Sequence, residues 1–191
     1  MRTTRLEAFS DGVIAILITI MVLELKVPHG AELTELRPLI PVFLAYILSF
    51  IYLAIYWSNH HHMLQVTEKV NGKVLWANNH LLFWLSLIPF ATAWMGENNY
   101  QALPTAVYGV VLLCSAVAYT VLQWAIVNME KGENELLASA VKHDIKGKLS
   151  IVCYVIAIPT AFINQWISDA LYTFVALMWL VPDRRIEEKV S

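Results

Sequence analysis

Apolar stretches of membrane-spanning length follow one another along the chain and are separated by short polar segments. About 20 mainly apolar residues cover the roughly 30 Å hydrocarbon core of a bilayer. The pattern predicts six such helices, at residues 9–27, 40–63, 74–95, 104–127, 149–163 and 167–181. Only Asn164, Gln165 and Trp166 separate the last two, which predicts a tight helical hairpin.

The composition supports a membrane protein. The chain is 58% hydrophobic and 15% charged, whereas soluble domains are about 45–50% apolar and about 25% charged. We therefore predict an all-α membrane protein with one six-span repeat, forming a single domain over residues 1–191. The net charge of −2 does not favour a nucleic-acid partner. Cys114 and Cys153 lie in apolar stretches and are expected to be buried thiols, and no cofactor is expected.

The positions of lysine and arginine predict the orientation. If the N-terminus is cytoplasmic and the spans alternate, eleven of the 13 basic residues fall on the cytoplasmic side. Only Lys26 and Arg37 then fall on the outer side. Because loops rich in lysine and arginine stay in the cytoplasm, the sequence predicts that both termini are cytoplasmic.

A polar segment stands at the foot of the first span. Ser10, Asp11 and Gly12 come directly before the apolar run Val13–Leu23. A charge at the bilayer centre costs roughly 2.5–3.5 kcal/mol on insertion scales, so such groups usually face protein or water and mark function. At 1.5 Å per residue, polar residues of the second and third spans lie at a similar depth: Asn59, His60, His61, His62, Asn78, Asn79 and His80. We expect these side chains to form a hydrogen-bonded polar layer.

Three consecutive histidines, His60, His61 and His62, suggest a metal site at first sight. Successive residues of a helix point about 100° apart, so the three rings cannot bind one ion together. A structural role is favoured, and no metal site is predicted. One of these histidines titrating near neutral pH would make the layer sensitive to pH, which is a hypothesis that follows from the residue type.

The first span also carries an apolar stripe. On a helical wheel, one face is shared by Gly12, Ile16, Thr19, Ile20, Leu23 and Val27. Such a stripe in a membrane helix usually contacts lipid or a neighbouring helix. Hydrophobic constrictions also gate pores by dewetting, but periodicity alone does not distinguish these two roles.

The run Arg5-x-x-x-Phe9-Ser10-Asp11, followed directly by an apolar helix, resembles the short prokaryotic members of the endosomal and lysosomal potassium channel family, transmembrane protein 175. Residues 56–61 and 79–90 also resemble this family, so the resemblance covers roughly the first half of the chain. Two charges, a phenylalanine and a serine at fixed spacing make the motif specific.

The resemblance implies a function and an assembly. It implies a potassium-permeable channel in the prokaryotic inner cell membrane, a homotetramer whose central pore is lined by the first helix of each subunit. It places the pore constriction at Ile16, Ile20 and Leu23, gives Thr19 a role in selectivity, and names potassium and other monovalent cations as partners. It also implies that the polar motif ties the first helix to its neighbours. The network predicted in this way comprises Arg5, Phe9, Ser10, Asp11, Asn59, His60, His61, Asn79 and His80.

Two alternatives stay open from the sequence. Pro89 and Pro159 lie within the third and fifth spans, and helices broken near mid-span are typical of secondary transporters. A proton-conducting membrane protein is the other alternative. No enzyme is predicted, since the chain contains neither an HExxH motif nor a Gly-x-Ser-x-Gly elbow.

Overall fold

A computed structural model describes residues 3–65, 67, 70–129 and 144–180. The regular structure in these ranges is entirely helical, which confirms the predicted all-α class with six helical spans. The helices are α1 (Thr3–Leu23), α2 (Ile40–Gln65), α3 (Gly72–Ser86), α4 (Ile88–Glu97), α5 (Ala102–Met129), α6 (Ile145–Thr160) and α7 (Gln165–Leu180), with a 3-10 helix at Leu33–Leu39 before α2.

Four segments are long and apolar enough to cross a membrane. They are Thr3–Leu23, Leu33–Gln65, Gly72–Glu97 and Ala102–Met129. Helices α6 and α7 have 16 residues each, which corresponds to about 24 Å at 1.5 Å per residue. They pack against each other as a hairpin. The predicted end of the sixth span at position 181 lies outside the described residues.

Helix α1 begins earlier than the apolar pattern indicates. It starts at Thr3 rather than near Phe9, so Arg5 lies inside the helix together with Phe9, Ser10 and Asp11. Arg5, Leu6, Glu7 and Ala8 all have high helix propensity, which explains why the helix extends into the polar segment. As a result, the motif residues and the apolar stripe share one continuous helical register.

The third span is interrupted at Leu87. Helix α3 ends at Ser86, and α4 begins at Ile88 with Pro89 in its first turn. Pro89 has no backbone N–H, and proline is tolerated in the first turn of a helix because the N–H groups there have no partner within the helix. The Leu87 N–H donates to the Trp84 carbonyl at 3.2 Å, a tightened turn between the two helices.

Polar side chains hold the interior of the bundle together. The Ser49 hydroxyl of α2 lies 2.6 Å from the Thr92 hydroxyl of α4 and 2.9 Å from the Tyr108 hydroxyl of α5. The Tyr52 hydroxyl donates to the Tyr172 carbonyl of α7 at 2.6 Å. Because polar groups at membrane depth must be satisfied within the protein, these bonds join four helices into the frame against which α1 packs.

Candidate functional site: the two faces of α1

The two faces of α1 have opposite environments. Ile16 is 57% exposed, Ile20 39% and Leu23 80%, and Gly12 and Thr19 on the same stripe are also exposed. The opposite side carries the buried residues of the helix, Leu6, Ser10, Ile14, Leu17 and Met21. One face is therefore packed into the bundle, while the stripe predicted to line a pore is bare in the isolated chain.

Thr19 lies within the bare stripe. Its hydroxyl donates to the carbonyl oxygens of its own helix, 2.9 Å from the Ile16 carbonyl and 3.2 Å from the Ala15 carbonyl. A hydroxyl oxygen keeps acceptor capacity when it donates its hydrogen. The exposed Thr19 oxygen can therefore offer a lone pair to a cation that passes along this face.

A directional chain of hydrogen bonds connects α2, α3 and α1 below the stripe. His60 Nε2 lies 2.7 Å from Asn78 Oδ1, and Asn78 Nδ2 donates to Ser10 Oγ at 3.0 Å. Ser10 Oγ in turn donates to the Leu6 carbonyl at 2.9 Å. All three side chains are completely buried. This arrangement assigns the ring proton of His60 to Nε2, because the Asn78 oxygen can only accept.

Two further contacts join α1 to α2. The Trp57 indole N–H donates to Asp11 Oδ1 at 3.0 Å, and His61 Nδ1 lies 2.8 Å from Glu7 Oε1. The Trp57 and His61 rings stack with centroids 5.8 Å apart. The Asp11 carboxylate thus has a neutral N–H donor on the adjacent helix.

Other residues of the predicted network lie elsewhere. Arg5 and Phe9 are exposed and share the angular position of the bare stripe. The Asn59 amide donates to the Ile55 carbonyl of its own helix at 2.8 Å. Asn79 and His80 are exposed on α3, and His80 accepts from the Trp84 indole at 3.0 Å. The α3 residue that reaches α1 is Asn78, adjacent in sequence to Asn79.

Glu7 and Trp57 also belong to this layer, although neither was predicted to do so from the sequence. Their spacing carries a signal, because Glu7 and Asp11 are four residues apart on α1, as Trp57 and His61 are on α2. Residues at i and i+4 are neighbours on a helix surface. Two facing pairs of this kind, each with hydrogen-bonding side chains, would have indicated the contact.

An ion pair holds the other end of α1. Lys26 Nζ, just beyond the helix, lies 2.6 Å from Glu97 Oε1 at the end of α4. The Glu97 carboxylate raises the pKa of the Lys26 ammonium, first through their hydrogen bond and then through their opposite charges. Because both side chains are well exposed to solvent, the pair is a surface contact of modest strength.

The fold and this site define a class: a multispan α-helical membrane protein whose first helix is anchored on one face by polar contacts and bare on the other. Residues 5–89 match the sequence profile of a family described as endosomal/lysosomal potassium channel TMEM175. A protein of Chryseobacterium sp. named as a potassium channel is 54% identical over 187 residues, which cover 98% of this chain and 97% of the relative. The chain therefore belongs to the TMEM175 family, as its motif predicted.

Two other comparisons extend this result. The crystal structure of a lysosomal potassium-selective channel TMEM175 homolog from Chamaesiphon minutus matches with a TM-score of 0.81 and 28% identity, covering 94% of this chain and 96% of that one. A Danio rerio protein named endosomal/lysosomal proton channel TMEM175 is 25% identical over 118 residues, which cover 59% of this chain and 22% of that protein. The family and these relatives are ion channels, which are membrane proteins and not enzymes.

Proposed function

We propose that this protein is a potassium-permeable cation channel that assembles as a homotetramer around a central pore. The α1 helix of each subunit lines the pore, and Ile16, Ile20 and Leu23 form its narrowest section. The observation that carries the proposal is the contrast between the two faces of α1, one packed and hydrogen-bonded, the other apolar and uncovered at mid-span. If copies of α1 surround one axis, their bare faces would face one another across a shared central space.

The proposed orientation places both termini in the cytoplasm of a bacterium, with the channel in its inner cell membrane. Eleven basic residues then lie on the cytoplasmic side and two on the outer side, as the positive-inside rule requires. The polar layer of α1, α2 and α3 lies at the cytoplasmic end of the pore, and the Lys26–Glu97 ion pair lies at the outer end. Relatives from several bacteria support a bacterial cell membrane.

Selectivity in such a pore would rest on dehydration. Rings of Ile16, Ile20 and Leu23 offer no carbonyl cage to replace the water around an ion. Potassium loses its water more easily than sodium, so an apolar constriction favours potassium. A ring of Thr19 oxygens beside the constriction would return part of the lost coordination. The expected result is a preference for potassium that is smaller than in channels with a carbonyl filter.

The test is the reversal potential of purified protein in planar bilayers with potassium on one side and sodium on the other. The proposal predicts currents whose reversal potential shifts toward that of potassium. A reversal potential that follows the proton gradient alone would instead support proton conduction, the activity in the name of the Danio rerio relative. Flux that occurs only with fixed stoichiometric coupling to a second ion would indicate a transporter.

A further inference from the structure

A cavity lies inside the bundle between α2, α5, α6 and α7, apart from the bare stripe of α1. The residues that line it belong to these four helices or directly precede α6. It offers a volume of about 40 Å³ to the centres of water molecules, which is room for about three waters at about 10–15 Å³ each. Three molecules take up about 90 Å³ in liquid water, so the cavity suits a small ligand.

Aromatic rings form much of the cavity wall. Five of them line it: Tyr52, Tyr56, Tyr119, Tyr154 and Trp179. The rings of Tyr56 and Tyr119 meet edge to face with centroids 6.0 Å apart, and the Trp179 indole N–H donates to Ser150 Oγ at 2.9 Å. Because the face of an aromatic ring attracts a cation within about 6 Å, rings held in this way favour a positively charged ligand.

The carboxylate of Asp144 brings a negative charge to the same cavity. Asp144 caps the start of α6, and its Oδ1 accepts from the Gly147 N–H at 2.7 Å. A Cβ atom at position 147 would clash with Asp144 Oδ2, so glycine leaves the space that the carboxylate occupies. An ionised carboxylate accepts about four hydrogen bonds, and the cap uses one of them. The charge is therefore fixed in place beside the rings and keeps capacity for a ligand.

A side chain of the protein already shows which chemistry this wall accepts. The Lys146 ammonium lies over the Trp179 ring, with Nζ 5.7 Å from the ring centroid. An ammonium group is thus attracted to one of the rings that line the cavity. A ligand of the same charge would compete with Lys146 for Trp179.

We propose that this cavity binds a small methylated ammonium ion, held by the rings of Tyr56, Tyr119 and Trp179 and by the charge of Asp144. Aromatic cages of this kind recognise quaternary ammonium groups. An alkali-metal ion instead needs several oxygen atoms to replace its hydration shell, whereas ring carbon atoms form much of this wall. The site lies within one subunit and does not depend on whether α1 lines a pore.

The experiment is isothermal titration calorimetry of the purified protein in detergent with tetramethylammonium chloride, at an ionic strength held constant with potassium chloride. We expect saturable binding with one ion per chain. Asp144→Asn keeps an oxygen that caps α6 and removes the charge, so it should weaken binding at least about tenfold. Glu97→Gln, at an exposed carboxylate at the end of α4, is the matched control and should leave the affinity unchanged.

The aromatic wall is tested by two changes at one position. Tyr56→Phe keeps the ring and should change the affinity less than about twofold, whereas Tyr56→Leu removes the ring and should weaken binding about tenfold. Lys146→Met removes the competing ammonium and should tighten binding several-fold. This last variant decides the inference if Tyr56→Leu or Asp144→Asn does not fold.

Three results would overturn the inference. They are the absence of saturable binding, equal affinities of Asp144→Asn and the unchanged protein, and an affinity that Lys146→Met leaves the same. One ion per four chains, with binding that Ile16→Asn abolishes and Asp144→Asn preserves, would place the ion in the pore instead. That last pattern would support the proposed function while contradicting this site, so the two claims fail separately.

Discussion

Ile16 and Ile20 are the residues on which conduction depends most directly in this account. Both are exposed on the bare face of α1, and both offer only hydrocarbon to a passing ion. A polar side chain at either position would hold water in the constriction and lower the cost of dehydration. The isoleucines therefore act through their apolar side chains alone, without a hydrogen bond or a charge.

Replacing either isoleucine with asparagine should change permeation. We expect Ile16→Asn and Ile20→Asn to raise single-channel conductance several-fold or to weaken the preference for potassium over sodium, measured in planar bilayers. Val22→Asn is the control, because Val22 is exposed on the same helix but lies outside the stripe. Unchanged currents and reversal potentials in both isoleucine variants would contradict the constriction.

Asn78 should matter for stability far more than its sequence neighbour. Asn78→Leu would leave a buried His60 N–H and the Ser10 hydroxyl oxygen without this partner, at a cost of about 3 kcal/mol in the free energy of unfolding. Asn79→Leu, at an exposed position, should cost much less. Denaturation of both variants in detergent measures the difference, and equal losses would argue against the buried chain of hydrogen bonds.

The same two asparagines show how far residue-level prediction reaches. Depth along the spans identified a polar layer, because 1.5 Å per residue is a fixed property of helices. It could not choose between Asn78 and Asn79, since that choice depends on how α3 is rotated against α1. The Trp57–Asp11 bond was missed for a related reason: tryptophan near a span end also suits the membrane interface.

At the scale of elements, the hydrophobic pattern predicted the spans better than it predicted their ends. Span length is set by the bilayer, whereas helix ends depend on local chemistry. The start of α1 at Thr3 follows from helix-forming residues in a polar segment, and the break at Leu87 follows from the backbone of Pro89. The 3-10 helix at Leu33–Leu39 was not predicted, because no apolar periodicity marks it.

Close approach of α4 to α2 gives a prediction for Gly96. A Cβ atom at this position would lie 2.7 Å from the Val42 Cα, and two backbones cannot yield as a flexible side chain can. Gly96→Ala should therefore lower the free energy of unfolding by about 1–3 kcal/mol, as overpacking does. Gly72→Ala, where nothing lies within 4 Å, is the control in the same detergent melt, and equal stability of the two variants would count against this packing.

At the scale of the whole molecule, one subunit leaves α1 half covered. Its packed face is tied to α2 and α3 by the polar layer, and its outer end is tied to α4 by Lys26 and Glu97. No other part of the chain that the structure describes covers its bare face. The family was recognisable from the motif alone, whereas the assembly depends on contacts between chains that a single sequence does not encode in its spacing.

The structure of the assembled protein in a lipid nanodisc, determined by cryo-electron microscopy, tests directly whether α1 lines a central pore. We predict four copies around one axis, with Ile16, Ile20 and Leu23 of each copy facing one another across a continuous ion path. An assembly in which these side chains contact acyl chains, while another helix surrounds the path, would contradict it.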